Sequence, residues 1–220
     1  MTACEQKKKP VPQVTISNEG QVLLDSGLSA YRVRPWFDGE DRRITILPKG
    51  GDSVSIGNKV IAESRRENRT AYVFLNGARC LGSMLTDSLG SLQNFEPSIA
   101  CFDSVTLDQS SVRILWSERL VPALAFSEDY GERGRTLRVH RLDGIAGDFF
   151  IDEFVSNDEA CGDDGILPCF SQKSEISFPA DSAFLPETLL VHVTGTMLDG
   201  KRVLPVDRTD TIIPFSSELP

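Results

Sequence analysis

Long apolar runs are missing from this 220-residue chain. None approaches the roughly 18 consecutive apolar residues that a membrane-spanning helix requires. Histidine is scarce, with only His140 and His192 present. A serine triad or a histidine-rich metal centre would have to use one of them, and strand alternation sets both opposite the apolar residues, as solvated side chains. The G-x-S-x-G, H-E-x-x-H, phosphate-loop and G-x-G-x-x-G fingerprints are also absent. Their absence removes the motif-bearing hydrolases, metalloproteases and nucleotide-binding enzymes. Positive charge is in deficit: 23 Lys and Arg against 32 Asp and Glu leave a net charge of −9. The molecule as a whole therefore repels phosphate backbones, and no nucleic-acid partner is expected. What remains is ordinary globular material, 40% hydrophobic and 25% charged, enough to build a core in one large or two ordinary domains.

Five cysteines are present. With Cys4 set aside, Cys80, Cys101, Cys161 and Cys169 form an even set that allows three pairings. Proximity favours Cys80 with Cys101 and Cys161 with Cys169, because short loops close without a long-range search. Such pairs imply a periplasmic or extracellular setting, since cytosolic thiols are kept reduced. The alternative is four buried free thiols acting as small hydrophobes.

From Gln13 onward, short alternating runs separated by turn residues predict an all-β fold. "QVTISNEGQVLL" reads as two strands around Asn18 to Gly20, and "RRITILPKGGDSVSI" as two more around Gly50 and Gly51. "TAYVFLNG", "SVRILW", "TLRVHRL" and "DFFIDEFV" continue the series, and "GSMLTDSLGSLQNF" is the one place for a short helix. In "LLVHVTGTMLDGKRVLPV", Val191, Val193 and Met197 share the core face. For Val203 to join them, a three-residue loop with a bulge at Gly200 must pair it with Gly195. Pro205 marks an edge strand or its end. "SERLVPALAFSEDYGERG" breaks the alternation and leaves one predicted disulfide on each side. The expected architecture is an immunoglobulin-like β-sandwich in two tandem domains, residues 13–118 and 119–220, behind a flexible tether, 1–12. A single larger sandwich is the alternative.

The opening "MTAC" resembles the end of a bacterial lipoprotein signal peptide. Thr2 and Ala3 precede Cys4 as the lipobox residues precede the cysteine that receives diacylglycerol, with Met1 at the motif's apolar position. The resemblance implies lipidation of Cys4 and an envelope protein, and Glu5 after the cysteine resembles those sorted to an outer membrane, facing the periplasm or the surface. It covers four residues and carries nothing about fold or activity. "EQKKKPVPQ" behind it is polar and proline-bearing, the composition of an extended tether.

Two charged clusters are candidate sites. Asp158, Glu159, Asp163 and Asp164 surround Cys161 and offer the hard oxygen donors that calcium takes, although the spacing is not that of an EF-hand and a solvated acidic loop is the favoured reading. No other cofactor is expected. Arg133, Arg135, Arg138, His140 and Arg141 stand out against the acidic whole as an anion or acidic-partner site; the alternative is strand-protecting charge. The expected function is non-enzymatic: an anchored sandwich that binds an envelope protein or surface partner. The competing reading is an envelope carbohydrate-binding protein or a carboxylate-dependent hydrolase using Trp36, Phe37 and Trp116 in a cleft.

Overall fold

Alternating apolar residues punctuated by glycine turns favour hairpins between neighbouring strands, and hairpins build nearly the whole molecule. The structure is a computed structural model that describes residues 12–18, 21–50, 57–77, 79–102, 106–107, 109–157, 161, 168–176 and 183–215. A short hairpin, β1 (Val14–Ile16) and β2 (Val22–Leu24), comes first. One antiparallel sheet then runs in chain order through β3 (Tyr31–Asp38), β4 (Asp41–Pro48), β5 (Asn58–Arg66), β6 (Arg69–Asn76), β7 (Cys80–Asp87) and β8 (Leu92–Cys101). The second sheet opens with β9 (Thr106–Leu107), which pairs with the end of β11. It continues in order through β10 (Arg113–Trp116), β11 (Pro122–Asp129), β12 (Gly134–Arg141), β13 (Asp148–Ser156), β14 (Ser171–Ile176), β15 (Leu189–Asp199) and β16 (Arg202–Ile212).

Both sheets curl, because right-handed strand twist accumulates over six or more strands. In the first, Val33 N donates to Gly90 O at 2.7 Å and Arg32 bridges Ser91, drawing β3 towards the start of β8. In the second, Trp116 N reaches Ala183 O at 3.0 Å and Leu185 N reaches Trp116 O at 3.0 Å, so the 183–185 segment lies beside β10. Each curl encloses its own apolar interior. Tyr31, Ile44, Phe74 and Met84 fill the first, and Leu137, Val139, Ile151, Leu189 and Val191 the second. A third core lies between the sheets, where Val73, Leu81 and Leu85 meet Ile114, Trp116, Leu124 and Phe126. Buried Asn76 ties the first hairpin down: its Oδ1 accepts from Val22 N at 2.9 Å and its Nδ2 donates to Pro97 O at 2.7 Å.

The all-β, immunoglobulin-like sandwich expected from the sequence is thus present as stacked sheets. Its connections are sequential hairpins rather than Greek-key crossovers. The division expected at residue 118 falls in the turn between β10 and β11, where Ser117 N donates to Val121 O at 3.0 Å. Because these strands pair, Arg113 to Trp116 belong to the second sheet.

Three local expectations are corrected. The segment 82–95 holds no helix; it is the β7–β8 hairpin. Residues Cys80 to Thr86 are all buried because Leu81 and Leu85 enter the shared core while Met84 enters the first interior, and two-sided burial erases alternation. The same cause hides β11 inside the predicted boundary segment: Leu124 and Phe126 face the shared core, Ala123 and Ala125 the second interior. The third correction concerns the β15–β16 turn. It has two residues, Gly200 and Lys201, with Asp199 opposite Arg202 and Gly200 at φ +63°, the type II′ requirement. Val203 therefore pairs with Leu198 and stays exposed, and Val206, opposite Gly195, joins the core instead. At Gly195 a Cβ would lie 2.3 Å from Ser171 O, so the close approach of β14 demands glycine there. Pro205 sits on the edge strand, as expected.

The shared core makes the two sheets depend on the same side chains. Leu124→Ala is expected to lower stability by about 2–5 kcal/mol and to do so for both sheets at once. Urea unfolding followed by Trp36 alone in a Trp116→Phe background, and by Trp116 alone in a Trp36→Phe background, checks this. The two midpoints should move together; movement of only one would contradict the coupling.

Candidate functional site: the charged rim between the sheets

Alternation along β12 puts Leu137 and Val139 into the second interior and Arg138 and His140 on the opposite face, as the pattern predicts. That face does not open straight to solvent. Its neighbours across β11 are Leu124, opposite His140, and Phe126, opposite Arg138, both in the shared core. Arg138 and His140 therefore line the rim where the intersheet core meets water, and their charges need partners there.

Each finds them. Arg138 donates Nη2 and Nε to Asp148 Oδ2 at 2.6 and 3.2 Å, with Nη1 3.9 Å from Glu128 Oε1. Its guanidinium carbon lies 5.8 Å from the Phe126 ring centroid and 5.4 Å from that of Phe150, so the cation stacks between two aromatic rings. His140 is held at both ring nitrogens, Nδ1 by Asp148 Oδ1 and Nε2 by Glu96 Oε2 at 2.7 Å. Glu96 belongs to β8 of the first sheet, so this imidazole joins the sheets. Asn94 Nδ2 steadies the acceptor, donating to Glu96 Oε1 at 2.9 Å and to Leu142 O at 3.1 Å.

With a carboxylate at each nitrogen, the imidazolium is the form that satisfies both bonds. Burial pushes the His140 pKa down, but the hydrogen bonds to Glu96 and Asp148 outweigh it and leave it raised. Asp148 shows the converse. Burial would raise it, while Arg138 and His140 hold it below the usual carboxylate range. At the far end of the rim the Tyr130 hydroxyl donates to Glu128 Oε2 at 2.7 Å, and that bond with burial pushes its pKa up to about 12.

The remaining arginines of the predicted basic segment are engaged as well. Arg135 Nε lies 2.9 Å from Glu153 Oε2, which also accepts from Ser127 Oγ at 3.0 Å. Arg141 pairs with Asp143 and stacks 5.2 Å from the Phe215 centroid. Arg133 closes a short 3-10 turn, Gly131–Arg133. The strand-protecting role does not apply, since β12 lies between β11 and β13 rather than at an edge. His140 is thus not a solvated histidine, whereas His192 is half exposed on β15, 3.2 Å from Thr209 Oγ1. Sequence reasoning missed Glu96, Asp148 and Glu128. Glu96 lies 44 residues from His140, and only the packing of one sheet on the other brings them together.

Both predicted disulfides form. Cys80 and Cys101 face each other across β7 and β8, and Cys161 pairs with Cys169. Two disulfides mark a chain that matures in an oxidising, non-cytoplasmic compartment. Cys4 and the acidic residues Asp158, Glu159, Asp163 and Asp164 lie outside the described residues. Among the described residues, no group of three or more His, Cys, Asp or Glu side chains is arranged to hold a metal ion, and no helix is long and apolar enough to cross a membrane.

Two clefts flank the rim. One of about 490 Å³ is polar, lined by Arg69, Asp87, Gln93, Asn94 and Asp143 among others. Asp87 accepts from Leu89 N at 2.9 Å and Ser91 N at 2.8 Å, closing the β7–β8 turn, and Asp143 holds Arg141. The other, about 530 Å³, runs past Arg119, Leu185, Glu187, Ile213 and Phe215. Trp116 lines neither; it is buried, donating Nε1 to Ser64 Oγ at 2.8 Å. Compared with protein-family models, curated proteins and solved structures, the chain matches none.

The clamp makes stability depend on pH in two windows. Because the His140 pKa is raised on folding, its contribution is complete below its ordinary value of 6.5 and is lost as pH rises through the folded value. Because that of Asp148 is depressed, its contribution is present above 3.8 and is lost as pH falls through its folded value. Melting curves from pH 5.5 to 9 should show the wild type losing stability relative to His140→Gln, which removes the titration. Parallel pH profiles for the two proteins would contradict the clamp.

Proposed function

We propose that the chain is a cell-envelope lipoprotein, anchored through Cys4 in an outer membrane, whose sandwich body binds an envelope or surface macromolecule without turning it over. The two disulfides support an extracytoplasmic body. The lipobox-like Thr2, Ala3 and Cys4 and the polar tether behind them support the anchor.

The observation that carries the binding role is the Arg138–Phe150 pair. Phe150 is 55% exposed on a central strand, and the arginine beside it is already fixed by Asp148 and two rings. Preorganised arginine and aromatic side chains on a rigid sheet form the kind of surface that concentrates binding energy, because little side-chain freedom is lost on contact. The basic segment then serves a partner less as free positive charge than as a neutralised, stacked platform.

A second reading draws on the polar cleft at Asp87 and Asp143, whose carboxylate and amide lining suits a carbohydrate. Both carboxylates already hold structural bonds, which favours the macromolecular reading.

Phe150→Ser is expected to change stability by no more than about 0.5 kcal/mol, as exposed substitutions do, and to weaken capture of envelope partners about tenfold or more. Capture is read by pull-down from the native envelope followed by affinity measurement with the recovered partner. Undiminished capture would remove this face from the binding role, and turnover of a sugar abolished by Asp87→Asn would replace it with the second reading. In the native host Cys4→Ser should move the protein from the membrane to the soluble fraction; an unmodified wild-type Cys4 in mass spectra would end the anchor.

A further inference from the structure

β16 ends the second sheet. Along its eleven residues it pairs with β15 alone, and among the described residues no strand meets its other edge. The register identifies which main-chain groups are left over. Asp199 and Arg202 flank the two-residue turn and form the closing hydrogen-bonded pair, so the even-numbered residues of β16 bond to β15. Residues 203, 205, 207, 209 and 211 then turn their amide and carbonyl groups outward. Pro205 fits, since the outward position is the one place where a missing N–H costs the sheet nothing.

An open edge of this length invites pairing, and its side chains decide with what. We infer that β16 pairs antiparallel with β16 of a second copy of this chain, about a two-fold axis at Thr209. In that register Arg208 faces Asp210 of the other copy, Asp210 faces its Arg208, Val206 faces Ile212, and Asp207 faces Thr211. Arg208 is exposed and Asp210 half-exposed, and they lie on one face of the strand, where Arg208 Nε is 2.9 Å from Asp210 Oδ2 of its own chain. Centring the axis one residue away puts Arg208 opposite Arg208 or Asp210 opposite Asp210, and centring it at Asp207 opposes two aspartates. Like charges directly opposite are unfavourable, so the sequence Asp207-Arg208-Thr209-Asp210-Thr211 selects one register and disfavours its neighbours. Pro205 limits the pairing to the segment beyond it. This surface is separate from the Arg138–Phe150 face and goes beyond the role proposed there.

The test is sedimentation velocity of the full, disulfide-intact chain over a concentration series, with circular dichroism to verify folding. The wild type should show a concentration-dependent dimer, weakened at high salt. Thr209→Pro removes an outward amide without touching a main-chain bond to β15, losing on that side only the exposed side-chain contact with His192, and should raise the midpoint of association about tenfold or more. Arg208→Asp and Asp210→Arg each place like charges opposite and should each be monomeric alone. Mixed, they restore both opposite-charge contacts and should form a heterodimer. A wild type that stays monomeric at every accessible concentration overturns the inference, as does a dimer insensitive to Thr209→Pro. If Thr209→Pro does not fold, the charge-swapped pair decides, and failure of the mixture to associate overturns the register.

Discussion

Because Leu124 and Phe126 leave β11 on one side and Ala123 and Ala125 on the other, that strand is sealed on both faces and belongs to two cores at once. A half-buried sheet can tolerate water on one side; a strand buried on both must be covered twice. The curl of the second sheet supplies one cover. The first sheet supplies the other, through Val73, Leu81 and Leu85, and is held in place by doing so. On β11 the alanines face the interior of the curled sheet, and leucine and phenylalanine face the core shared between the sheets. Much of the architecture, from the placing of Trp116 to the burial of β7 from Cys80 to Thr86, can be traced to that requirement.

The charged rim follows from the same geometry. Where the intersheet core ends, a strand that alternates apolar and polar residues must bring its polar side chains out at the boundary, half in water and half in protein. Arg138 and His140 stand there, and carboxylates from β8, β11 and β13 converge on them. Their interactions are worth more than exposed ion pairs because the groups are partly buried and mutually oriented, and His140 converts sheet packing into a proton-dependent contact. The neighbouring Phe150, opposite Arg138 on β13, stays exposed.

Much of this was legible in the sequence. The strands at 14–16, 22–24, 69–76, 113–116 and 148–156, the two local disulfides and the face of β12 that carries Arg138 and His140 all follow from alternation and spacing. What failed did so for identifiable reasons. β7 and β11 carry no alternation because both faces are buried, so one resembled a helix and the other a boundary. The β15–β16 turn departs from the expected loop because Val203 is not a core residue; Val206 is the one that meets the gap at Gly195. The carboxylates that neutralise the basic segment could not be identified among 32 acidic residues, because tertiary packing chooses Glu96, Glu128 and Asp148.

Native-state hydrogen exchange tests the dependence of both sheets on the shared core most directly. Buried amides of β6 and β7 in the first sheet and of β11 and β12 in the second should exchange only through one global opening, with equal free energies that fall together as denaturant is added. A first sheet whose amides open at distinctly lower free energy, while β11 and β12 stay protected, would contradict that dependence.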